Sequence, residues 1–295
     1  MSRRIVIVGA GGRLGAALFR EYSQDHAVIG FNHAELDLAA PADIRGKLDS
    51  LDFDVLINAA AQTNVDRCET QREDAFALNA EAPEVLAKVC TQKNARMIHI
   101  STDYVFDGAQ SEPYSEEDEA EPISVYGESK RAGEDRVLAV DESHLVVRVS
   151  WVFGPDRPSF VDWIIQQARE RETVSAVADK FATPTYTLDI TELLRPLIIS
   201  GGLGGIIHLA NRGGCSWQEY GQWALNCCAN EGVKLRARRV DAITLAEMKN
   251  FIARRPPYTV LSTAKFESRT GKKPRPWREA VAAYVREHVA ARAQD

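Results

Sequence analysis

No part of this chain approaches the roughly 18 consecutive apolar residues that a membrane-spanning helix requires. It has no excess of basic charge either. Its 36 Lys and Arg face 42 Asp and Glu, a balance of −6 with no basic stripe, so a phosphate-tracking nucleic-acid binder is excluded. The five cysteines (Cys68, Cys90, Cys215, Cys227 and Cys228) are an odd set without C-x-x-C spacing. Cys227 and Cys228 are adjacent, which suits neither a normal disulfide nor a metal clamp. Buried thiols in a reducing cytoplasm are the expectation. The six histidines are scattered singly, so no zinc constellation is visible. Internal repeats are missing, and the opening Met1-Ser2-Arg3-Arg4 runs straight into a short apolar strand, too short a stretch for a signal peptide.

What is present reads as an ordinary globular α/β chain with enough apolar content, 45%, for a sizeable core. Five short runs, Ile5–Val8, Ala27–Phe31, Val55–Asn58, Met97–Ser101 and Leu145–Val149, are nearly continuous in apolar residues, as buried parallel strands are. Helical patterns at Arg13–Tyr22, Ala42–Asp49, Arg72–Gln92 and Val125–Val140 lie between them. This alternation predicts right-handed βαβ units in a doubly wound parallel sheet, an α/β Rossmann domain over residues 1–150.

After Trp151 the rhythm loosens. Helices are predicted at Phe160–Arg171, Leu188–Ile198, Trp217–Asn230 and Trp277–Val289, a strand at Gly205–Leu209, and turns at Gly201–Gly205 and Arg254–Tyr258. Residues 151–295 read as a smaller α/β lobe that closes over a ligand, with segments near 180–210 returning to the sheet. The acidic run Glu116–Glu119, with Glu121 beyond it, reads as a solvated loop or as a mobile flap beside the site.

Three motifs carry chemistry. Gly9-Ala-Gly-Gly12-Arg-Leu-Gly15 follows the first strand and opens the first helix. There glycines let the backbone approach a pyrophosphate whose charge the helix N-terminus stabilises. Tyr126-Gly-Glu-Ser-Lys130 places a phenol and an ammonium four apart, on one helical face. An ammonium beside a phenol favours the phenolate, and lowering the phenol's pKa by about 3 units asks for about 4 kcal/mol of differential stabilisation. Ser101-Thr102-Asp103-Tyr104-Val105-Phe106-Asp107-Gly108 follows a strand's carboxyl end, where ligands bind in open α/β sheets. Thr102 can donate to a carbonyl oxygen and Asp103 can accept from a sugar hydroxyl.

With Asp37-Leu38, Asn58-Ala59-Ala60-Ala61-Gln62-Thr63 and Arg148-Val-Ser-Trp151-Val-Phe-Gly154, this ordered set resembles the extended short-chain dehydrogenases/reductases, and more narrowly the dTDP-4-dehydrorhamnose reductase family. The likeness runs on through Asp179-Lys-Phe-Ala-Thr-Pro184-Thr185 and Arg255-Pro256 to Lys265-Phe266. It implies NAD(P)H-dependent reduction of the C4 keto group of a nucleotide-linked 4-keto-6-deoxy sugar, dTDP-4-dehydro-L-rhamnose first among them. Residue by residue it implies a catalytic set of Thr102, Tyr126 and Lys130, with Lys130 also holding the cofactor ribose. It places Asp103, Tyr104 and Trp151 in the sugar pocket and directs Arg255 toward the nucleotide end of the substrate. Asp37 and Leu38 would hold adenine, and Ala59, Ala60 and Thr63 would line the cofactor channel.

Two departures stand out. Pro257-Tyr258-Thr259 replaces the small polar pair usual after Arg-Pro, and Leu188 stands where some members carry metal-binding glutamates, so no metal is expected. A nucleotide-sugar dehydratase would need a glutamate where Tyr104 stands. A non-catalytic dinucleotide-binding regulatory subunit, similar to the beta subunit of methionine adenosyltransferase, is the alternative from another class. A homodimer is compatible with the resemblance.

Cofactor choice is read from the residues themselves. Asn32, 20 residues past Gly12, ends the second strand where NAD-selective folds place an acid, and it carries no charge to repel a 2′-phosphate. Glu35 lies nearby but beyond the strand end. Arg13 would either turn its guanidinium to that phosphate or lie solvated on the first helical turn. The expectation is that NADPH serves at least as well as NADH, with Gly9, Gly12, Leu14 and Gly15 completing the cofactor site.

Overall fold

A computed structural model describes residues 2–199 and 202–291. Its first half is built from short strands joined by amphipathic helices. Four of the five strands are almost wholly buried, whereas the edge strand over Ala27–Phe31, expected to be buried, is half-exposed. In chain order these are β1 (Arg4–Val8), α1 (Arg13–Tyr22), β2 (Ala27–Phe31), α2 (Pro41–Asp49), β3 (Val55–Asn58), α3 (Val65–Thr70), α4 (Arg72–Phe76), α5 (Ala82–Gln92), β4 (Arg96–Thr102), α6 (Val125–Val140) and β5 (Leu145–Val149). The helix predicted over Arg72–Gln92 is continuous but not uniform, because residues Ala77–Glu81 form a π-helical turn between α4 and α5. Asn79, on that turn, is buried, and its side chain donates to Gln62 O and Ser129 Oγ.

The second half holds β6 (Val152–Phe153), α7 (Phe160–Glu170), β7 (Val174–Val177), β8 (Phe181–Ala182), β9 (Thr185–Tyr186), α8 (Thr187–Ile199) and β10 (Gly205–His208). Then come β11 (Cys215–Ser216), α9 (Trp217–Asn230), β12 (Val240–Ile243), α10 (Ala264–Thr270) and α11 (Trp277–Tyr284). The predicted Gly201–Gly205 turn falls partly outside the described residues. Most of the added elements are two- to four-residue strands, too short to show an apolar period.

The main sheet has the order β10-β5-β4-β3-β1-β2, and its pairs are parallel throughout. Strands β1, β3 and β4 are therefore adjacent, and their carboxyl ends open on one side. Buried side chains lie on both faces: Ile5, Ile57 and Val147 pack toward α1 and α8, while Val6, Leu56 and Val146 pack toward α2 and α5. The lobe pairs β7 with β12, β8 with β11 and β6 with β9 around an aromatic core of Phe153, Tyr186, Tyr220 and Tyr284.

The acidic run is tied down rather than solvated along its length. Glu116 accepts from the His208 amide at 2.7 Å, Glu117 pairs with Lys265, and Asp118 accepts from Ser115. All five cysteines are buried and unbridged. Among the described residues no helix is long and apolar enough to cross a membrane.

Candidate active site

Strand β4 delivers Thr102 to the carboxyl edge of the sheet, paired in register with Val149 of β5. The chain then tightens into a 3-10 turn, Asp103–Val105, which Thr102 caps by accepting from the Tyr104 amide at 3.2 Å. Helix α6 starts at Ser124, whose side chain accepts from the Gly127 amide. The amide of Val125 is taken by Glu69 at 2.9 Å. Gly127 explains the close approach of helix and turn, since a Cβ there would lie 2.2 Å from the Tyr104 carbonyl. Any larger residue would push α6 off the turn and part Tyr126 from Thr102.

Tyr126 and Lys130 are buried one helical turn apart. Burial raises the Tyr126 phenol above its usual range, and a hydrogen bond with Thr102 acts in the opposite direction. Lys130 does not deliver the expected depression of that phenol. Its Nζ donates instead to the Ile100 carbonyl at 2.7 Å and lies 3.2 Å from His99 Nε2, and burial pushes the ammonium down to about 8 against the pull of Glu134. His99 was missed in the sequence. It is wholly buried and held well below its ordinary pKa, first by burial and then by Lys130, so it is neutral. Its other nitrogen meets Asn58 at 3.1 Å. The available signal was a His two residues before the Ser101–Gly108 motif and an Asn opening the Asn58–Thr63 motif, on adjacent strands.

Thr102, Tyr126 and Lys130 close one end of a cleft of about 1000 Å³, with His99 and Asn58 behind them. Gly9, Gly12, Arg13, Leu14, Asn32 and Leu38 line the other end, with Ala59, Ala60 and Thr63 along the wall between. Gly15 lies beneath the loop, where a Cβ would come within 2.0 Å of the Gly9 carbonyl, so it allows the turn to close without facing the cleft. Asp37 is absent from the lining. Its carboxylate accepts from the Ala39 amide at 3.0 Å, the work of a turn residue rather than an adenine contact.

Arg13 is half-exposed, but its guanidinium is taken up by backbone carbonyls. Its guanidinium donates to the carbonyls of Val152 and Arg157 at 3.2 Å and also to that of Pro158, clamping the segment before α7 over the glycine loop.

On the substrate side, Asp103, Tyr104 and Trp151 line the same cleft. Asp103, however, is not free to take a sugar hydroxyl. The 3-10 turn tucks its carboxylate inward, where it accepts from Thr102 at 3.0 Å, Ser150 at 2.9 Å and Thr259 at 2.6 Å, and burial raises its pKa. Lys180, fully buried, sits 5.0 Å from the Tyr104 ring centre and 5.8 Å from that of Trp151, and donates to the Pro256 carbonyl at 2.7 Å. Burial pushes it down to about 8, opposed by Asp103. Trp151 holds a left-handed backbone, φ 35, a conformation that costs a non-glycine residue about 1–3 kcal/mol. Stacking on Tyr220 and contact with Trp217 hold it there.

Arg255 lines a separate cleft of about 730 Å³. Its fork is already bound to both Asp66 oxygens, at 3.0 and 2.7 Å, and lies 3.5 Å over Phe251, so it hooks this loop to α3 instead of reaching freely toward a substrate. The pairing holds Asp66 down to about 2. Lys180 and Thr259 lie within segments the sequence marked, but their partners are 76 and 156 residues away and left no local trace.

A doubly wound sheet whose strand ends carry a glycine loop at one end of a cleft and a Thr–Tyr–Lys cluster at the other is the arrangement of the extended short-chain dehydrogenases/reductases. The match is narrower than that class. Residues 3–290 match the RmlD substrate binding domain, and the chain belongs to that family. It is 36% identical to dTDP-4-dehydrorhamnose reductase of Mycolicibacterium smegmatis over 285 residues, 95% of this chain and 84% of the relative. It is 33% identical to the spore coat polysaccharide biosynthesis protein SpsK of Bacillus subtilis, covering 98% and 99%. Among solved structures, dTDP-4-dehydrorhamnose reductase of Bacillus anthracis in complex with NADP superposes with a TM-score of 0.90 at 30% identity, covering 96% and 99%.

Proposed function

We propose that this chain reduces the C4 keto group of a nucleotide-linked 4-keto-6-deoxy sugar, dTDP-4-dehydro-L-rhamnose, using NADPH or NADH. The observation that carries this reading is the convergence of the Thr102 and Tyr126 hydroxyls, with Lys130 behind them, at one end of a cleft whose other end is a glycine loop. That loop suits a dinucleotide: α1 begins at Gly12 with no side-chain cap and no acidic residue in its first turn, so its amide donors are open to a pyrophosphate. When bound, the nicotinamide supplies the hydride.

The chain's own residues handle the oxygen. Tyr126, kept protonated by burial, gives its proton to the alkoxide that develops at C4. Thr102 turns its hydroxyl from Asp103 to the same oxygen, while Asp103 keeps Ser150 and Thr259 as donors. Lys130 holds the cofactor ribose and supplies positive charge behind Tyr126. Tyr104 is likewise held protonated by burial, so it cannot serve as the base that a dehydratase needs. Relatives named as reductases favour the enzyme over a regulatory subunit. The nucleotide end of the substrate extends toward the cleft lined by Arg254, Phe251 and Pro257.

The test is oxidation of NADPH and NADH with dTDP-, UDP-, GDP- and CDP-linked 4-keto-6-deoxy sugars. Turnover highest with dTDP-4-dehydro-L-rhamnose supports the reading. No turnover with any of them, together with recovery of a stoichiometric protein partner, would replace it with the regulatory subunit.

A further inference from the structure

Arg157 stands on the segment between β6 and α7, yet it belongs to the glycine-loop end of the cleft. Its Nε donates to the Gly11 carbonyl at 2.9 Å. A Cβ placed on Gly11 would lie 4.0 Å from Arg157 Nη2 and 3.3 Å from the Cβ of Asn32. The guanidinium, the glycine loop and the end of β2 thus meet in one small space that opens into the cleft. No hydrogen bond or ion pair with another described residue engages the two terminal nitrogens of Arg157.

The other charged groups at this corner are already engaged. Arg13 spends its fork on the carbonyls of Val152, Arg157 and Pro158. Asp156 is paired with Arg20 through Oδ1, while its buried Oδ2 has no hydrogen-bond partner among the described residues. Glu35 accepts from the Asn32 amide at 2.9 Å, and the Asn32 side chain accepts from the Ala34 amide at 2.9 Å. His33 lines the same end of the cleft. Arg157 therefore presents a guanidinium with its terminal donors open.

In dinucleotide folds the residue ending the second strand faces the adenosine ribose, whose 2′ position bears a hydroxyl in NAD and a phosphate in NADP. An anchored guanidinium with two open donors matches a phosphate bidentately, and anchoring at Nε removes much of the ordering cost. We infer that Arg157 is the specificity-determining residue for the cofactor, reading the 2′-phosphate of NADPH from the substrate-lobe side of the cleft. Arg13 then positions the segment that carries it. This inference rests on the cleft being a nicotinamide dinucleotide site.

Calorimetric titration with 2′-phospho-ADP-ribose and with ADP-ribose separates the two, because the ligands differ only in that phosphate. The wild-type chain is expected to prefer the phosphorylated ligand. Arg157→Gln should weaken it by about 10- to 100-fold, the scale of a lost charge-assisted pair, and weaken ADP-ribose by less than about threefold. Arg157→Lys should recover part of the loss. Equal losses on both ligands would assign Arg157 to the pyrophosphate or to the loop clamp and overturn the inference. So would a wild-type chain without preference, or a preference that survives Arg157→Gln. A wild-type chain that binds neither ligand would overturn the dinucleotide reading itself, and this inference with it.

Discussion

The two walls of the cleft are built on different physics. The sheet wall is a continuous parallel ladder whose strand ends carry Gly9 after β1, Ala59 after β3 and Thr102 at the end of β4, with Tyr126 and Lys130 brought against them by α6. The lobe wall has two-stranded fragments of two to four residues and an aromatic core, and its polar groups are held by partners far away in sequence. Each wall buries one lysine completely, Lys130 on the sheet side and Lys180 on the lobe side, and burial pushes both down to about 8. Lys130 is fixed by groups on the neighbouring strand β4. Lys180 is fixed by Pro256 and faces Asp103, across the join between the halves. Chemistry is carried where the backbone ladder sets position, and substrate shape where side chains from distant segments meet.

If the sheet wall alone carries the chemistry, Tyr126→Phe should show the largest effect. It keeps the edge contact with Tyr104 at 5.6 Å between ring centres and removes only the hydroxyl. Turnover should fall by roughly 10²–10⁴, about 2.7–5.5 kcal/mol, while the melting temperature stays close to that of the wild type. Single-turnover measurement of hydride transfer checks this. Retention of more than about a third of the rate would remove Tyr126 as the proton donor.

The lobe lysine should matter to stability. Lys180→Met removes the cation that faces the buried Asp103 and leaves the Pro256 carbonyl without its donor. Losing a charged donor to a buried carbonyl, together with the nearby cation, costs about 1.5–3 kcal/mol. Urea unfolding should show that loss, and the double variant with Asp103→Asn should recover a large part of it. A Lys180→Met variant as stable as wild type would mean that Lys180 adds nothing to the join that Thr259 already makes with Asp103.

Lys130 sharpens the comparison through pH. Its pKa is about 8 when folded, against an ordinary 10.5, so between those values the unfolded chain holds a proton that the folded chain has lost. Stability contributed at this site therefore rises with pH across that window. Buried cysteines and tyrosines titrate in the same region with the opposite sign, so the useful quantity is the difference between wild type and Lys130→Met in the cofactor-free protein. That difference should shift toward wild type by about 2–3 kcal/mol from pH 8 to pH 10.5. A flat difference would mean that Lys130 is not desolvated.

The same contrast explains what could be read from the sequence. The parallel sheet, α1 and α6 follow from apolar period and glycine spacing, which are local properties. The grouping of Thr102 with Tyr126 and Lys130 comes from the family resemblance and not from spacing alone. Asp103 and Arg255 line clefts, but residue type does not show that Thr259 and Asp66 already hold them. His99 and Lys180 stayed hidden for the related reason that burial depends on what packs across the strand. Spacing likewise places Lys130 near Tyr126 without showing that the Ile100 carbonyl and His99 take up its ammonium.

Arg13 gives the smallest expected effect, and it tests the seam where the two walls meet. It leaves the sheet side at the first turn of α1 and binds three carbonyls of the lobe-side segment. Arg13→Ala frees those carbonyls at a half-exposed site where water can replace the lost donors, so little stability should be lost. The segment would lie less firmly over the glycine loop, and kcat/KM should fall by about three- to tenfold, roughly 0.7–1.4 kcal/mol. That loss should fall on NADPH and NADH alike, because Arg157 keeps its own anchor at the Gly11 carbonyl. Measuring both cofactors at fixed ionic strength gives the ratio directly. A change in the NADPH-to-NADH ratio below about threefold keeps Arg13 as a clamp. A change beyond tenfold that persists in the Arg157→Gln background would mean that Arg13 itself meets the 2′-phosphate, and the seam would then be a ligand site rather than a joint.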